Sequence, residues 1–165
     1  MKSTILITLS ISLLFFFKIN NTLNCFDRKS KSEISFCTDK SDFSDYYKSI
    51  HLESLGLSED AFQKAITGFF LLKSEKRNLN NNIITIIDFS IPSNTKRLYV
   101  IDLAHKKVLF NTYVAHGKNS GFLYANSFSN KNSSLKSSLG FYETGKPYNG
   151  KHGYSLELFG LENGI

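Results

Sequence analysis

The sequence of 165 residues has no tryptophan, one methionine, two prolines, two cysteines and four histidines. So few cysteines and histidines, without a Cys-x-x-Cys pair, give little support to a metal site, and we expect no cofactor. No apolar run reaches the roughly 20 residues that a membrane-spanning helix requires. Fifteen phenylalanines and eight tyrosines are present, so we expect a folded core rich in Phe, Ile and Leu.

The N-terminal segment predicts export. Lys2 precedes an apolar run over residues 4–17 that ends at Lys18, a length typical of a secretory signal. We therefore interpret residues 1–19 as a signal peptide or N-terminal anchor, and we expect a periplasmic or cell-envelope location. No Ala-x-Ala cleavage site follows, so membrane anchoring by an uncleaved segment remains an alternative. Lipidation at Cys25 is a further alternative.

The two cysteines, Cys25 and Cys37, lie close together in a polar segment. An exported protein meets an oxidising environment, so a local disulfide is feasible, and the alternative is that both are incidental. Neither has a neighbouring histidine or a strand-end context of the kind that marks a catalytic thiol.

The net charge of +6, with a pI near 9.2, allows three interpretations. The first is an ordinary solvated surface, and the second is attraction to an anionic surface such as a cell wall. The third is nucleic-acid binding. Because the lysines are scattered singly and no nucleic-acid motif accompanies them, we expect no nucleic-acid partner.

The chain divides by composition into a polar linker over residues 20–54, with a helical turn around 42–50, and a domain over residues 55–165. A helix begins after Ser58, whose hydroxyl can cap the free amides of the first turn. Glu59 and Asp60 favour the positive end of that helix. Apolar residues then recur at helical spacing, which predicts a helix from Glu59 to about Lys73.

The rest of the domain alternates strand patterns with polar loops. The central element is a hairpin over residues 97–117, rich in β-branched and aromatic residues. Further strands are predicted at 83–89, 139–144 and 154–161, with loops at 117–121, 129–138 and 145–153. The predicted fold class is mainly β with one N-terminal helix (α+β).

Candidate functional residues cluster after the hairpin, in segments 116–121, 137–142 and 149–154. We select His116, His152 and Tyr154 as substrate-binding candidates. Each segment is weak by itself, because a lone histidine is more often a structural hydrogen-bonding residue than a catalyst.

Taken together and in order, LSEDAFQKAITGFFLLK, IITIIDFS, KRLYVIDL, KVLFNTYVAHGKNSG, SSLGFYETG and YNGKHGYSLELFGLENGI resemble the murein L,D-transpeptidase catalytic-domain family, of the YkuD type. The resemblance covers about residues 55–165. It implies a β-sandwich or barrel domain that acts on peptidoglycan stem peptides. In this family a cysteine thiolate attacks a stem-peptide carbonyl, D-alanine leaves, and the amine of a second stem takes the acyl group, with a histidine as base.

The sequence departs from the family at the catalytic residues. No Ser-x-Gly-Cys segment is present, and Cys37 precedes the whole domain. His116 and His152 match family positions upstream of the catalytic histidine, so no catalytic residue is assigned. We therefore expect a C-terminally truncated, inactive transpeptidase domain. The alternatives are an exported, non-catalytic peptidoglycan-binding module and a gene fragment without a stable fold.

Overall fold

A computed structural model describes residues 40–75, 82–151 and 153–162. Two helices precede five strands: α1 (Lys40–Ser49), α2 (Glu59–Ser74), β1 (Ile83–Ile87), β2 (Leu98–Asp102), β3 (Lys107–Thr112), β4 (Tyr142–Gly150) and β5 (Gly153–Gly160). Within these described ranges, no helix has the length and apolar character needed to cross a membrane.

Helix α2 begins where the sequence predicts and ends one residue later. The Ser58 hydroxyl accepts a hydrogen bond from the Ala61 amide at 3.2 Å, as a capping residue should. The Ser58 amide in turn donates to Oδ2 of Asp88 at 3.1 Å. Asp88 directly follows β1, so this bond fixes the start of α2 to the end of the first strand.

Helix α1 replaces the helical turn that the sequence suggests within a linker, so the prediction of one helix is wrong. Its Phe43, Tyr46 and Tyr47 are buried. The Tyr46 and Phe62 rings stack with centroids 5.9 Å apart, and the Tyr47 ring lies 5.6 Å from Phe62. Aromatic residues three and four positions apart share one helix face, and burial of that face against α2 stabilises α1. The linker assignment before residue 40 stays a prediction.

Strands β1, β2 and β3 form an antiparallel sheet with β2 in the centre. Tyr99 pairs with Ile86 of β1 and with Asn111 of β3. The register shifts between Val100 and Ile101, where β3 accommodates one extra residue. The hairpin predicted at residues 97–117 is thus confirmed as β2, a short turn and β3.

Both faces of the central strand are covered. Tyr99 and Ile101 point to a core shared with the two helices, whereas Leu98 and Val100 belong to a smaller cluster on the other face. Alternate residues of a strand point to opposite faces, so β2 has buried, largely apolar side chains at each position from 98 to 101. The larger core also contains Phe62, which is fully buried.

Strands β4 and β5 form a separate two-stranded antiparallel sheet. The loop predicted at residues 145–153 is wrong, because β4 continues to Gly150. A register shift between Thr144 and Pro147 absorbs the residues between them. Each strand of a two-stranded sheet is an edge strand, which is the position in a sheet that tolerates proline.

The coarse fold class is confirmed as mainly β with helices preceding the strands, and the described residues contain two helices instead of the predicted one. The β-sandwich or barrel arrangement stays a prediction. The predicted signal segment, Cys25 and Cys37 lie outside the described residues, as does His152.

Candidate functional site

The predicted site residue His116 lies on an irregular segment between β3 and β4, which we call the site loop and define as residues 115–140. The loop contains one isolated bridge, between Phe128 and Ser137. It begins directly beside Arg97, the residue before β2.

Arg97 has no solvent-exposed side-chain surface. Its Nε and Nη2 donate to the Val114 carbonyl at 3.2 and 3.0 Å, and its Nη1 donates to the Ile91 carbonyl at 2.8 Å. The guanidinium also lies over the Phe89 ring, 5.1 Å from the centroid, which is cation–π geometry. These contacts satisfy most of its N–H groups and hold a buried cation in one orientation.

Burial lowers the pKa of the Arg97 guanidinium, and the negative charge of Asp88 opposes that change. Arginine nevertheless keeps its charge in proteins. Asp88 is itself buried and accepts bonds from the Ser90 amide at 3.0 Å and the Ser90 hydroxyl at 2.5 Å. A buried positive charge thus lies behind the site loop, with a buried carboxylate nearby.

His116 is half-buried and uses both ring nitrogens. Its Nδ1 lies 2.8 Å from Nη2 of Arg97, and its Nε2 lies 3.1 Å from the Gly121 carbonyl oxygen. The imidazole therefore connects the buried arginine to the middle of the site loop.

The two ends of the site loop meet at Gly117. The Gly117 amide donates to the Ser137 hydroxyl at 2.9 Å, and the Ser137 amide donates to the hydroxyl of buried Ser120 at 2.7 Å. A Cβ on Gly117 would lie 2.6 to 2.7 Å from backbone atoms of residues 135–137. Only glycine allows this approach.

Residues 121–124 form an exposed apolar turn, which we call the tip. Phe122 is 98% exposed. Two contacts hold the tip: the bond from His116 to the Gly121 carbonyl, and the Ser93 amide, which donates to the Leu123 carbonyl at 2.8 Å. Gly121 has φ +150, and a Cβ there would collide with the Tyr124 carbonyl oxygen. The tip is thus a fixed turn that keeps an aromatic ring in solvent.

Tyr154, the second predicted site residue, lies on β5 opposite Asn149 and is about half exposed. In the parts of the chain that the structure describes, no side-chain hydrogen bond joins it to His116. The third candidate, His152, falls in the gap between the described ranges. The structure therefore places Tyr154 and His116 on different elements and shows no hydrogen bond between them.

Sequence reasoning missed Arg97, because a basic residue before a strand resembles a surface residue. It is one of three arginines in a chain whose other basic residues are all lysine. The use of arginine instead of lysine at this position could have indicated burial, since a planar guanidinium makes several buried hydrogen bonds more readily than an ammonium does.

No group of three or more His, Cys, Asp or Glu side chains within the described ranges could hold a metal ion. Lys136 donates from Nζ to the Ser127 hydroxyl at 2.6 Å on the same loop.

A family model of the L,D-transpeptidase catalytic domain matches residues 53–165, which is more than half of the chain. The chain belongs to the L,D-transpeptidase catalytic-domain family. This result confirms the resemblance noted in the sequence, with a boundary two residues before the predicted domain start. No curated protein and no solved structure matches significantly.

In this L,D-transpeptidase domain, the site loop and the described part of the β4–β5 hairpin both lie within the matched residues. Both cysteines precede the matched residues. The described residues of these two segments include exposed aromatic side chains, among them Phe122 and Tyr154.

Proposed function

We propose that this protein acts in peptidoglycan cross-linking as an L,D-transpeptidase-family member whose site loop and β4–β5 hairpin bind the stem peptide. The family match over residues 53–165 carries the proposal. The exposed tip and exposed Tyr154 support it, because both lie in the segments that the family resemblance covers.

The reaction of the family is an acyl transfer in two steps. A cysteine thiolate forms a thioester with the stem-peptide carbonyl, and the bond to D-alanine breaks after a histidine passes a proton to the leaving amine. The amine of a second stem then attacks the thioester and passes a proton to the histidine, a new amide forms, and the thiolate is released.

We propose that the 165 residues do not carry out this transfer by themselves. The thioester step requires a thiol, and the matched residues contain no cysteine. We further propose that the protein is exported to the periplasm or cell envelope. The signal-like segment supports this proposal, and the segment would anchor the protein in the membrane if it is retained.

The proposal is tested with purified sacculi and with soluble disaccharide-tetrapeptides. We expect the chain to pellet with sacculi and to form no cross-linked dimer by mass spectrometry. The double variant His152→Ala, Tyr154→Ala should weaken pelleting roughly tenfold, the size expected when contact residues are truncated. Phe110→Ala, which removes an exposed aromatic side chain of β3, is the matched control.

Two outcomes would contradict this proposal. A dimer made by the purified chain would show that acyl transfer proceeds without a cysteine in the domain. Failure of the chain to pellet with sacculi would show that peptidoglycan is not its partner.

The second candidate function is a non-catalytic peptidoglycan-binding module. The observation that favours it is the combination of exposed aromatic side chains with a net charge of +6. Soluble stem peptides should compete with a stem-binding transpeptidase domain. Stem-free glycan or added salt should instead release a module that binds through rings and charge, because salt screens exposed charges.

A further inference from the structure

The contact between Arg97 and His116 determines where the imidazole carries its proton. A guanidinium has only donors, so Nη2 of Arg97 must donate to Nδ1 of His116 across their 2.8 Å separation. Nδ1 therefore carries a lone pair and no hydrogen.

The other end of the imidazole leads to the same assignment. The Gly121 carbonyl can only accept, so Nε2 must donate to it across 3.1 Å. Both partners thus require the neutral Nε2–H tautomer. A cationic imidazole would direct a second N–H at a buried guanidinium that cannot accept it.

We infer that Arg97 is a positioning residue that fixes His116 in the neutral Nε2–H tautomer and, through it, holds the Gly121 carbonyl and the exposed tip in place. Arg97 can do this because its own orientation is set by the Val114 and Ile91 carbonyls. The use of the tip for substrate binding rests on the proposed function, whereas the tautomer and the brace do not.

His116 is accordingly not the acid–base group of a reaction. Its Nδ1 lone pair is occupied by Arg97, and its Nε2 proton is occupied by Gly121. The role that remains is to connect a buried, hydrogen-bonded arginine to a solvent-exposed turn.

Nitrogen NMR of the full chain with ¹⁵N-labelled histidine tests the tautomer directly. At neutral pH we expect His116 to show a protonated Nε2 and a bare Nδ1. His105 supplies an internal reference of the opposite kind, because its Nδ1 lies 2.8 Å from the Asp102 carboxylate and must carry a hydrogen. Loss of one signal in each of His116→Gln and His105→Asn assigns the spectrum. A proton on Nδ1 of His116 would overturn the inference.

Hydrogen exchange tests the brace. The amides of Asn126 and Ser127 both donate to the Ser120 carbonyl beside the tip. We expect roughly tenfold faster exchange at these amides in His116→Ala and in Arg97→Lys, since one net hydrogen bond is worth about a factor of ten. The β2 amides should be unchanged. His116→Gln restores a side-chain N–H donor and should recover part of the protection.

Unchanged exchange in both variants, or equal acceleration throughout β2, would overturn the brace. The NMR result on the unmodified chain stands even if Arg97→Lys does not fold. Neither measurement involves peptidoglycan. Failure to pellet with sacculi alongside the expected histidine spectrum would therefore contradict the proposed function alone.

Discussion

Two regions of the molecule contain similar aromatic residues but bury them to different extents. One is the helix-and-sheet unit of α1, α2 and β1–β3, and the other is the β4–β5 hairpin. Phe62 and Tyr99 are fully buried in the first region, whereas Tyr154 and Phe159 in the second are 53% and 54% exposed. The two helices cover one face of the three-stranded sheet. The hairpin has no comparable layer in the described part of the chain, and a two-stranded sheet alone cannot bury its side chains.

An aromatic contact joins the two regions in the described part of the chain. The Phe141 ring, just before β4, packs directly on Gly68 of α2. The comparison shows that an aromatic-rich strand does not by itself indicate core. Its role depends on whether a second layer covers it.

The largest expected effect on stability comes from removing a large side chain from the buried core. Phe62→Ala removes a fully buried ring that contacts both Tyr46 and Tyr47, and should lower the free energy of unfolding by about 3–5 kcal/mol. Leu158→Ala, on the exposed hairpin, should change it by about 0.5 kcal/mol or less. Urea denaturation measures both, and equal losses would show that the hairpin is also core.

The second prediction uses buried tyrosines. Burial, reinforced by nearby carboxylates, raises the pKa of Tyr46 and Tyr99 to about 12. In the unfolded chain these two tyrosines ionise near pH 10, whereas in the folded protein they are still neutral at that pH. The stabilisation is therefore complete below about pH 10 and is lost as the pH rises towards 12, by roughly 2–3 kcal/mol for each tyrosine.

Circular dichroism against pH should show this alkaline unfolding. The double variant Tyr46→Phe, Tyr99→Phe should move it to higher pH, although loss of the hydroxyl bonds to Leu103 and Leu55 costs stability at neutral pH. Tyr148→Phe, at a half-exposed hairpin position, serves as the control. A transition at the same pH in the double variant would contradict the assignment.

The smallest expected effect on stability concerns the contact between Gly68 and Phe141. Alanine in a helix interior normally stabilises by about 1 kcal/mol relative to glycine. At Gly68 a Cβ would overlap the Phe141 ring, so Gly68→Ala should instead destabilise by about 1–2 kcal/mol. It should also speed proteolysis of the hairpin.

Thr67→Ala, at the neighbouring exposed position, controls for helix propensity. Phe141→Leu in the Gly68→Ala background should recover part of the lost stability. A stabilised Gly68→Ala protein with unchanged proteolysis would show that the hairpin is not held by this contact.

The sequence predicted the elements whose signals are local. Ser58 with the acidic residues after it set the start of α2, and dense β-branched runs indicated β1 and the β2–β3 hairpin. Helix α1 was underestimated because Lys, Ser and Asp surround Phe43, Tyr46 and Tyr47 and resemble a linker. Their spacing of three and four is nevertheless the helical one.

Other features were not predictable because they depend on distant contacts. The glycines that bound residues 145–153 indicated a loop, yet pairing with β5 and a register shift make residues 142–150 a strand. The segments containing His116 and Tyr154 were recognised through family resemblance. The partners of His116, by contrast, come from residues 19 positions earlier and 5 positions later, which no local pattern encodes.

Phe122 remains almost entirely hydrated in the folded protein. Moving a ring of that size out of water releases about 1.5–3 kcal/mol. The turn beneath it is already held on both sides, so little conformational entropy is lost when something covers the ring. The folded protein thus presents an unburied aromatic ring on a rigid turn, and burial of that ring can contribute to the binding of a complementary surface.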